Sequence, residues 1–208
     1  MFYFTKKPWI LKQIYGKCIW EMDEKQKVLY LTFDDGPHPT ETGFILDLLK
    51  QYNALATFFC LGENIEAYPD IFHKVVAEGH GVGNHTYSHL DGWRTPNEKY
   101  FTDIKKADAL IHSKLFRPPY GHITRFEVKR LREEFQYNTI MWSIMAGDFD
   151  KKTSGEQCLK NVTQNAKEGS IIVFHDNDSA SANMRYALPH ILERFSKEGF
   201  RFEKIMAG

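Results

Sequence analysis

Two periods of apolar residues alternate along the chain. Val28-Leu-Tyr-Leu-Thr-Phe33, Leu55-Ala-Thr-Phe-Phe-Cys60 and Ser170-Ile-Ile-Val-Phe174 are short, nearly all-apolar runs of the kind that form strands buried on both faces. Gly81–Asn84, Leu115–Phe116, Asn138–Ile144 and Phe200–Phe202 read as further strands. Between them apolar residues recur at helical spacing: Ile45, Leu48, Leu49 and Tyr52 after Thr40, then Ile71, Phe72, Val75 and Val76 between Pro69 and Gly79. Asn97 is placed to cap a helix through Phe101, Ile104 and Ile111, and Phe126, Val128, Leu131 and Phe135 mark the next. Ser154 with Gln157 reads as a capping box for a helix ending by Gly169, and Leu188, Ile191, Leu192 and Phe195 form a last helix with a kink at Pro189. At the N-terminus, Pro8 opens a short amphipathic helix that Gly16 ends, and Cys18–Met22 with Val28–Phe33 reads as a hairpin around the polar residues 23–27. Regular alternation of strand and helix, without repeats or a low-complexity linker, predicts a mostly parallel α/β sheet closed into a barrel. The expected layout is a single domain, with residues 1–26 packing on a main body of residues 27–208.

Polar residues cluster at one predicted end of these strands. Asp34-Asp35, His85, Arg117, Asp148 and His175 each fall just past a strand's C-terminal end, the face on which barrel enzymes carry their chemistry. His85 and His89 are four residues apart, so on a helical turn their rings can converge on one ion, with an oxygen from Asp34 or Asp35. Two imidazoles and one carboxylate leave positions open for water and substrate. A zincin site is excluded because Thr86 stands where its general-base glutamate belongs. A two-histidine, one-carboxylate iron oxygenase shares the ligand set but leaves the second aspartate and His175 without a purpose.

Composition narrows the partners. The 208 residues carry 27 Lys plus Arg and 27 Asp plus Glu, so no net charge draws the chain to nucleic acid or to anionic lipid. The three cysteines, Cys18, Cys60 and Cys158, match no metal spacing and read as buried reduced thiols. The first residues lack a signal-peptide pattern, and no run approaches about 18 apolar residues, so the reading is cytoplasmic, with the lysine-bearing N-terminal helix suited to a peripheral membrane contact.

The motifs Thr32-Phe-Asp-Asp-Gly-Pro37, Gly83-Asn-His-Thr-Tyr-Ser-His89, Arg117-Pro-Pro-Tyr-Gly121 and Val173-Phe-His-Asp176 occur in the order found in polysaccharide deacetylases, and from about residue 27 onward the chain resembles this NodB-homology family, carbohydrate esterase family 4. The resemblance implies a distorted (β/α) barrel of seven or eight mostly parallel strands and metal-dependent removal of acetyl groups from sugars. By position it implies Asp34 as general base, Arg117 as the partner that orients it, His175 as general acid polarised by Asp148, and Tyr120 as the backbone oxyanion donor. Asp35, His85 and His89 become the metal ligands, and Pro119, Tyr120, Phe149 and Phe174 substrate-binding residues. The donor set suits Zn²⁺, and Co²⁺, Ni²⁺ and Mn²⁺ fit similar geometry. Met145 and Phe149 stand where the family's fourth motif usually has Asp and Trp. Phe149 keeps an aromatic wall while losing area and an N–H donor. Tyr87, Trp93 and Trp142 are further aromatic candidates for sugar stacking. The implied partner is an acetylated saccharide or glycoconjugate. A carbohydrate O-acetyl esterase and an inactive sugar-binding relative are the competing readings.

Overall fold

The computed structural model describes residues 13–206. In chain order the elements are β1 (Val28–Asp34), α1 (Glu41–Gln51), β2 (Ala56–Cys60), α2 (Gly62–Ala67), α3 (Pro69–Ala77), β3 (Gly81–Asn84), α4 (Asn97–Ile111), β4 (Leu115–Phe116), a 3₁₀ turn (Pro119–Gly121), α5 (Arg125–Glu134), β5 (Asn138–Thr139), β6 (Ile144–Met145), α6 (Gly155–Thr163), β7 (Ile171–His175), α7 (Ser181–Lys197) and β8 (Arg201–Phe202). The strands run β5-β4-β3-β2-β1-β7-β6, all paired in parallel, with β8 beside the start of β1. The sheet curls into a distorted barrel whose seam lies between β5 and β6.

β1 is an interior strand, paired with β2 and β7, and its two faces explain the design. Leu29, Leu31 and Phe33 point outward and pack with Ile45, Leu46 and Leu49 of α1 and Met184, Leu188 and Leu192 of α7. Burying one such leucine contributes about 1.5–3 kcal/mol. The other face carries Val28 and Tyr30, which join Phe59, Leu115, Ile140 and Ile171 in a separate inner cluster, and then Thr32 and Asp34. Along one strand face the barrel interior thus changes from apolar filling to a polar rim.

Several local expectations are corrected. Cys18–Met22 forms no hairpin with β1, whose edges are taken by β2, β7 and β8; instead Ile19 bridges Ile140 in parallel and Glu21 bridges Ser170. The single strand expected over 138–144 is two, because β5 pairs with β4 and β6 with β7 across the seam. Pro96, not Asn97, occupies the cap of α4, and no side chain caps it. Ser154 does cap α6 by accepting from the Gln157 N–H, but that helix ends at Thr163, well before Gly169. A reciprocal capping box stands instead at Thr124 and Glu127 of α5. Pro189 lies inside a continuous α7. The helix expected from Pro8 falls largely outside the described residues. No helix among the described residues is long and apolar enough to cross a membrane.

Candidate active site

Asp34 is the last residue of β1 and stands in register with Phe59 of β2 and His175 of β7. Asp35 follows in left-handed backbone with φ 83°, so the chain leaves the strand there and the alternation of faces is broken. Asp34 stays on the strand face held by Arg117 while Asp35 turns toward the histidines, so the two carboxylates occupy neighbouring places with different partners.

Arg117, wholly buried, holds Asp34. Its Nη1 donates to Asp34 Oδ1 at 2.7 Å and to Thr32 Oγ1 at 2.7 Å, while Nε and Nη2 donate to the Ile140 and Met141 carbonyls at 3.2 and 3.0 Å. The guanidinium also lies 4.0 Å from the centre of the Phe59 ring. A fork fixed at four acceptors allows Asp34 one orientation, which leaves Oδ2 outside Arg117's grip.

Asp35, His85 and His89 meet beside this pair. Their ligand atoms all lie within 4.8 Å of one another, with His85 Nε2 3.5 Å and His89 Nε2 3.2 Å from Asp35 Oδ1. The two histidines sit on a loop, not on a helical turn: Thr86 and His89 have φ of 69° and 57°. Asp103 pins this loop by accepting from the Tyr87 and Ser88 N–H groups and the Ser88 hydroxyl, and buried Asn84 accepts from the Thr86 N–H. His85 Nδ1 lies 2.7 Å from the Arg117 carbonyl, which can only accept, so Nδ1 carries a proton and Nε2 is the atom turned toward Asp35. Burial opposes ionisation of Asp35, but the two imidazoles hold its carboxyl well below the usual carboxylate range. Its Oδ2 accepts from Asn177 Nδ2 at 2.6 Å, its carbonyl accepts from Asn64 Nδ2, and Oδ1 is buried without a hydrogen-bond partner. Acceptors converging on one point, with an orphaned carboxylate oxygen among them, fit a divalent cation.

His175 lies next to Asp34 on the neighbouring strand. Its Nδ1–H donates to Asp148 Oδ1 at 2.9 Å and its backbone N–H to Oδ2 at 2.8 Å, so the fully buried Asp148 fixes ring and backbone together. Burial disfavours the imidazolium, yet the Asp148 charge and hydrogen bond, with Asp35 and Asp34 behind them, raise its pKa to about 9. The Phe149 ring stands edge-on to His175 at 5.0 Å. Tyr120, at φ 60° on the 3₁₀ turn and half exposed, places its ring 4.6 Å from His89. The hydrogen bonds closing that turn come from the Gly121 and His122 N–H groups, not from Tyr120.

One residue expected to touch substrate, Phe174, faces away from the site. Phe174 is 0% exposed and stacks on Phe33 in the outer core, because strand alternation sends it away from the face that carries His175. Pro119 is buried in the 3₁₀ turn that carries Tyr120. Thr32, Asn64, Asn177 and Asp176 were passed over by the sequence reading. Thr32 was findable, since it lies two residues before Asp34 on the same strand face. Asp176 donates its N–H to the Asp34 carbonyl and accepts from Thr42 Oγ1 at 2.5 Å. Burial, aided by Asp35, pushes its carboxyl up to about 8. A Cβ at Gly36 would lie 2.0 Å from Asp176 Oδ2, so only glycine fits that turn.

A carboxylate and a histidine held by buried partners beside a three-donor cluster, on the C-terminal rim of a parallel sheet, are parts that hydrolases use to activate water. The chain belongs to the polysaccharide deacetylase family, whose model matches residues 21–140. It is 37% identical over 193 residues to a peptidoglycan-N-acetylglucosamine deacetylase of Bacillus cereus, covering 90% of each chain. It is 33% identical over 186 residues to the peptidoglycan-N-acetylmuramic acid deacetylase PdaC of Bacillus subtilis, covering 86% of this chain and 38% of that protein. Among solved structures it superimposes on the Bc1960 peptidoglycan N-acetylglucosamine deacetylase with a TM-score of 0.86 and 32% identity, covering 96% of this chain and 95% of that one.

Proposed function

We propose that the protein is a metal-dependent hydrolase that removes acetyl groups from N-acetylated sugars of a glycan. The names of its relatives, which include an N-acetylglucosamine and an N-acetylmuramic acid deacetylase of peptidoglycan, support this substrate class. The observation that carries the reading is the register pairing of Asp34 with His175, one tied to Arg117 and the other to Asp148. Asp35, His85 and His89 hold the ion. When bound, a divalent ion supplies Lewis acidity at the acetyl carbonyl and a water of lowered pKa.

Asp34 Oδ2, left outside Arg117's grip, takes a proton from the attacking water as that water adds to the acetyl carbon. The Tyr120 N–H donates to the carbonyl oxygen as it gains charge. His175, charged near neutral pH, delivers a proton from Nε2 to the leaving nitrogen as the C–N bond breaks, giving the amine and acetate. Asp148 holds Nδ1–H and keeps the ring aimed. Phe149 walls the acetyl methyl group.

The test is acetate release from N-acetyl and O-acetyl saccharides by metal-loaded protein, chelated protein and Asp34→Asn. Release from N-acetyl sugars that chelation abolishes and Asp34→Asn lowers by about 10²–10⁴-fold is the expected result. Release from O-acetyl sugars alone would move the reaction to esters, and a silent panel with stoichiometric metal bound would leave a sugar-binding protein.

A further inference from the structure

Beyond the reacting groups lies an aromatic surface with no part in the chemistry above. Trp93, in the loop between β3 and α4, is 59% exposed, yet it is held rigidly. Its indole N–H donates to the Ile123 carbonyl at 3.1 Å, and its backbone N–H to Asp91 Oδ1 at 2.9 Å. One ring face lies flat on His122, with centroids 3.9 Å apart and planes 6° from parallel, and Asp91 Oδ2 fixes that imidazole 3.0 Å from Nδ1. At Gly92 a Cβ would sit 2.5 Å from the His122 carbonyl, so the loop approaches its support as closely as its backbone allows.

A large aromatic ring left in water normally keeps its rotamer freedom. Here that freedom is already lost, and a flat apolar face is presented to solvent. Tyr120 joins this face to the reaction centre: its half-exposed ring lies 5.8 Å from His122 on one side and 4.6 Å from His89 on the other. The row His89, Tyr120, His122, Trp93 thus leads outward from the metal ligands along the surface. Pyranose rings have one face of axial C–H groups, which packs on a rigid aromatic plane, and a glycan presents such rings in sequence.

We propose that Trp93, backed by His122, is a stacking platform for a sugar ring neighbouring the one that loses its acetyl group. The inference rests on the deacetylase reading and deepens it: the site extends past the reacting sugar to a second unit of the glycan, held on Trp93. Tyr120 serves the reacting unit and Trp93 a unit further along the chain. Rigid presentation lowers the entropy lost on binding.

The experiment measures kcat/KM for acetate release from N-acetylglucosamine oligomers of increasing length by the metal-loaded wild type, Trp93→Ala and Trp93→Phe. The wild type should prefer the longer oligomers, Trp93→Ala should lose about tenfold on them with the shortest substrate unchanged, and Trp93→Phe should recover part of the loss. Equal losses at every length, or a length preference that survives Trp93→Ala, would overturn the platform. Tryptophan fluorescence titrations with the long oligomers give a readout that does not need turnover. A Trp93-dependent signal without acetate release would sustain the platform and sink the deacetylase reading. No Trp93-dependent binding of any oligomer would overturn the platform alone.

Discussion

With φ at 83°, Asp35 turns out of β1 while Asp34 stays in it, so two consecutive carboxylates serve two neighbouring places. Residue types at the strand ends made Asp34, Arg117, Asp148 and His175 legible in the sequence, because each is polar where an apolar run stops. What alternation alone could not convey was the left-handed step at Asp35, nor which way Phe174 faces, since an isolated run buried on both sides looks the same in either register. His175 carries a prediction at this scale. Its pKa of about 9 in the folded protein lies above the ordinary 6.5, so the charged ring is favoured by folding. That stability is complete below pH 6.5 and is lost as pH rises through 9. A reaction that needs the imidazolium should lose rate on the alkaline side. In Asp148→Asn, burial acts without the opposing carboxylate, so the alkaline limb of the kcat/KM profile should move to lower pH. An unmoved limb would assign it to another group.

Elements decide how these residues are held. β4 and β5 are two residues long, yet Arg117 directly after β4 reaches across the barrel to Thr32 and Asp34 of β1 and to carbonyls in the chain that follows β5. One side chain therefore ties three strands at their C-terminal ends. Short strands of this kind are faint in sequence, because two apolar residues have no period to detect. The two-part course of 138–145 was hidden for that reason, and the helix α2 because its six residues span fewer than two turns. Lysine in place of Arg117 would carry the charge but not the fork. Arg117→Lys keeps a cation beside Asp34 but leaves acceptors among Thr32 Oγ1 and the Ile140 and Met141 carbonyls without donors, and should lower stability by about 1–3 kcal/mol for each one left unsatisfied, with a matching fall in the denaturant midpoint. A variant as stable as the wild type would show that the guanidinium's bonds add little to the fold.

At the scale of the whole molecule, the parallel order β5-β4-β3-β2-β1-β7-β6 sets β1 between β2 and β7 and gathers the strands' C-terminal ends at one rim. This was the most legible feature of all, since the alternation of strand and helix and the order of the motifs both point to it. The rim would also link the proposed metal binding to folding. Asp35 Oδ1 is buried without a hydrogen-bond partner, and an ion held there would bind the folded chain more tightly than the unfolded one. At a hundred times its dissociation constant such an ion stabilises by about 2.7 kcal/mol. The thermal midpoint should rise with added Zn²⁺ and fall on chelation, and Asp35→Ala should remove the dependence. A midpoint indifferent to metal in the wild type would argue against the three ligands.

The seam between β5 and β6 has its own tenant. Ile19 accepts from the Met141 N–H and donates its N–H to the Thr139 carbonyl, and the chain on to Met22 crosses to the start of β7, where Met22 donates to the Gly169 carbonyl. The carbonyls that hold Arg117 belong to Ile140 and Met141, the stretch that Ile19 grips from outside. A strap of five residues before the first strand thereby steadies the acceptors behind the arginine that holds Asp34. Trimming the protein back to its sheet would leave every reacting group in the polypeptide while loosening the brace that aims one of them.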